Sequence, residues 1–149
     1  MIQRKQSIFL LTSVVLFALT FAFPFGKVGE IALHNYAAIN SEGLRTEGIS
    51  HYFFSATLSV AAVISMISIF LYNNRQQQMS VLRLSFIFFA ASFALLALYI
   101  KSATAVIQGN GFSFGISFFL PFGSFLMNML ALRSIRKDEQ LVKSLDRLR

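Results

Sequence analysis

Apolar residues along this chain gather into four long runs, separated by polar breaks that hold nearly all the charge. No Asp, Glu, Lys or Arg occurs from Gln6 to Gly26, Gly48 to Asn74, Leu84 to Ile100 or Ser102 to Leu132. A helix needs about 20 apolar residues to cross a hydrocarbon core of about 30 Å. The pattern predicts an all-α integral membrane fold: a four-transmembrane-helix bundle with a cytoplasmic C-terminal helical extension. The expected spans are about 7–24, 52–72, 81–101 and 112–132, with a tail over 133–149, all within a single membrane domain.

In the first run, Ile8 to Phe23 holds eleven Phe, Ile, Leu or Val residues. Each favours insertion by roughly 0.3–0.6 kcal/mol near a helix centre. Arg4 and Lys5 ahead of it also fit the n-region of a signal peptide, with Thr20 and Ala22 as small residues before a cleavage point. The length of the run and the three spans after it predict that the segment is retained. Pro24 and Gly26 end the helix, the first lacking a donor and the second favouring non-helical angles. The polar loop that follows is weakly amphipathic in its first half through Ile31, Leu33, Ala37, Ala38 and Ile39, which predicts a short interfacial segment. Ser41-Glu42-Gly43 reads as a turn.

The second run places Ser55 four residues from Ser59, and Ala61 four from Ser65. Small residues at that spacing let helices approach closely. Asn73 to Ser80 reads as a polar hairpin. In the third run only 17 residues separate Arg83 from Lys101, about 25 Å of helix at about 1.5 Å per residue. Both side chains are expected to snorkel outward. Gln108-Gly109-Asn110-Gly111 is the clearest turn in the chain. Beyond it, Gly111 and Gly115 repeat the small-residue spacing, and Pro121 is expected to kink the fourth helix by leaving a carbonyl free. Asn128 has two readings, a hydrogen bond across the bundle or a polar residue near the headgroups.

Charge then gives an orientation. Arg4, Lys5, Arg75, Arg83, Arg133, Arg136, Lys137, Lys143, Arg147 and Arg149 fall on one side of such a bundle; Lys27, Arg45 and Lys101 fall on the other, with Glu30, Glu42 and Glu47. A bias of ten basic residues to three predicts that both termini are cytoplasmic. Composition agrees, at 56% hydrophobic and 13% charged against about 25% charged in soluble domains. Trp is absent, so Tyr36, Tyr52, Tyr72 and Tyr99 are left to form the interfacial aromatic belt.

The tail from Arg133 is expected to continue the fourth helix, with Ile135, Leu141, Val142, Leu145 and Leu148 as an apolar stripe and Glu139–Lys143 as a favourable i,i+4 pair. Its basic residues suit anionic lipid of the inner leaflet. Nucleic acid is not expected as a partner, because the tail has no aromatic residue on which bases would stack.

Two stretches resemble a known family. The opening Met1-Ile2-Gln3-Arg4-Lys5-Gln6-Ser7, leading into a span that ends at Pro24, is similar to the start of domain-of-unknown-function family 4293, small membrane proteins of Bacteroidota. The ending looks like that family's C-terminal signature: Asn128 to Glu139, Leu141-Val142-Lys143-Ser144 and Asp146-Arg147-Leu148-Arg149. The resemblance implies a four-helix protein of a Gram-negative inner membrane, and it carries over no catalytic residue or cofactor. It also marks Arg136, Lys137, Asp138, Glu139, Asp146 and Arg147, with Lys143, as a candidate docking surface, since the motif is richer than a topology anchor needs.

Three function classes compete. A non-catalytic accessory or scaffold subunit of a larger membrane complex, with a protein partner or self-association, fits the small-residue faces and patterned tail. A small oligomeric transporter or channel is the alternative, but ionisable residues usually mark ion paths, and the spans hold no Asp, Glu, Lys, Arg or His apart from Arg83 and Lys101 at the ends of the third. An enzyme is not expected: Glu30, His34, Glu42, Glu47 and His51 match no ligand spacing such as His-Glu-x-x-His. No metal or cofactor is expected, and the absence of cysteine removes thiolate sites.

Overall fold

The fold is given by a computed structural model that describes residues 3–39, 51–107 and 111–146. Four helices dominate: α1 (Gln3–Ala22), α2 (Tyr52–Phe70), α3 (Arg75–Ile107) and α4 (Leu120–Asp146). Three segments, Tyr52–Phe70, Arg75–Ile107 and Ile116–Ser144, are long and apolar enough to cross a membrane, and α1 contributes a shorter apolar stretch, Gln6–Ala22. α1 packs chiefly on α4, and α2 chiefly on α3.

The buried positions recur at alternating steps of four and three. Along α1 they are Gln6, Leu10, Ser13 and, a heptad beyond Ser13, Thr20; along α2, Phe54, Leu58, Ala61, Ser65 and Ser68. α3 buries Gln78, Leu82, Ser85, Phe89, Ser92, Leu96, Tyr99 and Ala103, and α4 buries Ser124, Asn128, Ala131, Ile135 and Asp138. This is the 3.5-residue period of left-handed helix packing. The seam is rich in serine, while Ile87, Leu98 and Phe70 face outward at 66%, 61% and 70% exposure. Bulky apolar groups outside and small or polar ones inside are what lipid favours, because close backbone approach rather than the hydrophobic effect holds helices together there.

One end of the bundle is closed by a β-sheet, which the all-α expectation did not contain. Strands β1 (Gly26–Val28), β2 (Ile31–Leu33), β3 (Ala38–Ile39) and β4 (Phe112–Phe114) form an antiparallel sheet in the order β3-β2-β1-β4. The first three lie where an interfacial segment was expected. β1 and β2 are joined through Gly29-Glu30, and Gly29 adopts φ 59°, as tight hairpin turns require. β4 pairs with β1 from the far side of the chain, Lys27 opposite Ser113. A Cβ on Gly26 would overlap the Ser113 carbonyl and the Phe112 ring, so only glycine admits this pairing. Phe25, Val28, Leu33 and Ala38 pack with Phe54, Phe89, Leu96 and Tyr99 in one apolar core.

The structure corrects several sequence-based expectations. Gly111 and Gly115 are not a helix-packing pair: they flank β4, Gly111 at φ 93° and Gly115 in extended backbone, where its N–H donates to the Phe25 carbonyl at 2.7 Å. Pro121 does not kink a helix. α4 begins at Leu120, after a 3₁₀ turn at Ile116–Phe118, so Pro121 occupies the first turn, where a missing N–H costs no helical bond. The fourth helix therefore starts eight residues later than the span expected from residue 112. α3, with 33 residues, is about 50 Å long at about 1.5 Å per residue. It begins inside the expected hairpin and runs past Lys101. Tyr99 is no belt residue, for it is 2% exposed and its hydroxyl donates to the His34 carbonyl at 3.2 Å. Tyr52 and Tyr72 are exposed as a belt requires. The turn expected at 41–43, and residues 108–110 of the turn expected at 108–111, lie outside the described residues.

Candidate functional site

At the tail end of the bundle, polar side chains tie all four helices together. Asn74 caps α3, its side-chain oxygen accepting the Gln77 N–H at 3.2 Å, so the first turn of the helix is satisfied. The buried Gln78 amide donates to the Ser68 carbonyl at 3.0 Å and closes the turn between α2 and α3. The Gln6 amide donates to the Asp138 carboxylate, both side chains being buried. The Arg75 guanidinium reaches the Asp138 backbone carbonyl at 3.4 Å. Asp138 thus fastens α4 to α1 and α3 at once.

The tail residues expected to form a docking surface are consequently divided. Asp138 points inward and holds the tail in place. Arg136 and Lys137 are exposed, and Glu139 is half-buried and paired with the exposed Lys143 at 2.8 Å. Helix α4 ends at Asp146, and Arg147 lies outside the described residues. Beyond Asp138 the stripe is bare: Leu141 is 49% and Val142 44% exposed, whereas Ile135 is fully buried against Leu10 and Leu82. Two hollows of about 500 Å³ and about 530 Å³ lie between this part of α4 and the start of α3, sharing Gln76, Glu139 and Lys143 as a common wall.

Inside the bundle, Asn128 takes the cross-bundle reading. Its amide donates to the Ser65 hydroxyl at 2.8 Å, and Ser65 donates in turn to the Ala61 carbonyl at 2.8 Å. The Asn128 oxygen and the Ser68 hydroxyl have no partner. Ser55 and Ser59 are only half-buried, and Ser55 donates to the Asn35 carbonyl instead of packing a helix. Ser13, Thr20, Ser117 and Ser124, none of them a sequence-based candidate, join α1 to the last quarter of the chain. A signal was present, because Ser13 and Thr20, like Ser117 and Ser124, stand seven residues apart in otherwise apolar runs.

At the sheet end, His34, Asn35 and His51 gather around Tyr99 and Ser55. The Nδ1 atoms of both histidines and both side-chain polar atoms of the fully buried Asn35 lack partners. Burial lowers the His34 pKa below its ordinary 6.5, because an imidazolium there loses hydration without gaining an anion. No group of three or more His, Cys, Asp or Glu able to hold a metal occurs among the described residues.

These features define a class: a mostly helical bundle with membrane-crossing character, capped by a small sheet at one end and a charged helical tail at the other. More particularly, the chain belongs to the family described as domain of unknown function DUF4293, whose pattern matches residues 2–148. No curated protein matches it.

Proposed function

We propose that the chain is a non-catalytic, four-span protein of a bacterial inner membrane, with both termini in the cytoplasm, serving as an accessory or scaffold subunit beside a larger membrane complex. The observation that carries this reading is the tail: Asp138 anchors α4 to the bundle, yet one turn later Leu141 and Val142 stand exposed. A rigidly held helix with an uncovered apolar step suits a helix-in-groove contact. The basic bias of the segments on the tail side supports the orientation.

Purification of the full chain from its membrane in mild detergent tests the proposal. A larger partner should accompany it in fixed stoichiometry and be lost in the Leu141→Ser/Val142→Ser variant, with the bundle intact. Impermeant thiol labelling of intact spheroplasts should modify Tyr36→Cys and spare Gln77→Cys.

A small oligomeric transporter is the second reading. It is favoured by the unpartnered Asn128 oxygen and Ser68 hydroxyl inside the bundle, since polar atoms left open there suit a water path. A stable homo-oligomer that conducts in liposomes would replace the accessory reading.

A further inference from the structure

The hollow of about 500 Å³ between α3 and α4 is cationic, with Gln76, Ser80 and Arg83 on the α3 wall and Arg136, Glu139 and Lys143 on the α4 wall. Lys143 is engaged by Glu139, but Arg83 and Arg136 form no ion pair among the described residues. Two guanidinium groups on facing helices thus have no anionic partner among the described residues. A planar fork of N–H donors matches the oxygens of a phosphate, and two forks across a cleft would grip one from both sides. Ser80 and Gln76 add neutral donors to the same wall.

The position of the hollow along α3 says what kind of phosphate it fits. Ser80, Arg83 and Ile87 lie on one face of the helix at steps of three and four, so the exposed surface turns from polar to apolar within one turn. Leu84 and Ile87 are 46% and 66% exposed just beyond Arg83. A ligand whose phosphate lies between Arg83 and Arg136 would meet bare aliphatic surface on one side and open water on the other. We infer that this hollow is a binding site for the headgroup of an anionic phospholipid, its phosphodiester between Arg83 and Arg136 and its acyl chains running along Leu84 and Ile87. With Glu139 subtracted, the three cations leave the hollow a net charge of +2, which favours a headgroup with net negative charge over a zwitterionic one. The site rests on the membrane placement proposed above and is independent of whether a protein partner docks on the tail.

The test uses the purified full chain in uncharged detergent micelles, with binding of short-chain phosphatidylglycerol measured by calorimetry. Saturable binding is expected, weakened at least tenfold in Arg83→Gln/Arg136→Gln and little changed in Arg133→Gln/Lys137→Gln. The second variant removes the same charge from exposed positions that do not line the hollow, so it separates a built site from diffuse attraction. Equal loss in both variants overturns the site, as does the absence of saturable binding in the native chain. Equal affinity for phosphatidylcholine overturns the choice of an anionic headgroup. Binding of inorganic phosphate as tight as that of the lipid assigns the hollow to a free anion and overturns the lipid. None of these outcomes depends on a partner, and the thiol labelling reports separately on the membrane placement.

Discussion

Ser13 and Ser124 clasp α1 to α4 by a reciprocal pair of hydrogen bonds, each hydroxyl donating to the other's backbone carbonyl, at 3.1 and 3.0 Å. The arrangement requires two small residues at the crossing, for hydroxyls reach a neighbouring carbonyl only where the backbones run close. Gly123, next to Ser124, belongs to the same approach, since a Cβ there would meet Leu16 at 3.3 Å. Interhelical hydrogen bonds in lipid contribute on average about 0.6 kcal/mol each. Replacing Ser124 by Ala is therefore expected to cost about 0.6 kcal/mol, for the one bond its hydroxyl donates, since the Ser13 hydroxyl still reaches the backbone carbonyl of residue 124. Ser124→Leu should cost several times more, because it forces the helices apart. Equilibrium unfolding in mixed micelles measures both.

Asn128 offers a sharper contrast. Asn128→Ala deletes the bond to Ser65 but leaves Ser65 satisfied by Ala61, so the loss should stay near 1 kcal/mol, within the range of single polar contacts in membranes. Asn128→Asp should be far worse at neutral pH. It would place a buried carboxylate against the Ser65 hydroxyl, with no cation bonded at that position to answer it. The two variants, compared by thermal unfolding in detergent, should differ by several-fold in destabilisation.

The pairing of β1 with β4 sets the register of the sheet, and the native chain has no cysteine to confuse its test. Lys27 and Ser113 are cross-strand partners, at a Cα separation of about 5.5 Å or less in antiparallel sheets, which a disulfide bridges without strain. Lys27→Cys/Ser113→Cys should oxidise quantitatively within one chain, read as the loss of two hydrogens in intact mass. Adding Gly26→Val should abolish it, because the new side chain meets the Ser113 carbonyl. Equal oxidation with and without that change would sink the register.

His34 makes the sheet end sensitive to acid. Its folded pKa lies below the ordinary 6.5 because burial disfavours the imidazolium. Between the folded and unfolded values the unfolded chain binds more protons, so stability rises with pH through that window and levels off above it. Lowering the pH below 6.5 should therefore weaken the sheet end, seen as faster amide exchange in β2 once corrected for the intrinsic rate. His34→Gln should remove the dependence. An unchanged pH profile in that variant would place the effect elsewhere.

Much of the helical architecture can be read along the chain because the signal is local and thermodynamic. In an apolar environment every backbone group must find its partner within its own segment, so a long charge-free run has little choice but helix. The lengths of those runs and the basic residues at their ends thus prescribe four helices and a tail continuing from the last. Hydropathy along the runs does not say which face turns inward, since nearly every residue is apolar; only the seven-residue spacing of Ser13 and Thr20 marks a face. The tertiary packing decided that Ser65, Ser85, Ser92, Asn128 and Asp138 join them in the seam while Ile87 and Leu98 face out. The sheet was equally hidden. Strands of two or three residues are too short for alternation to show, and Lys27 finds Ser113 only because α1 and α4 bring distant segments to the same end. Pro121 and Gly115 were misjudged for the same reason: whether a proline kinks or begins a helix, and whether a glycine packs a helix or passes a strand, depends on where the neighbouring chain lies. The docking surface was legible as a list of charges but not as a surface. It took the bonds from Gln6 and Arg75 to separate Asp138, which anchors the tail, from Arg136 and Lys143, which face the hollow beside it.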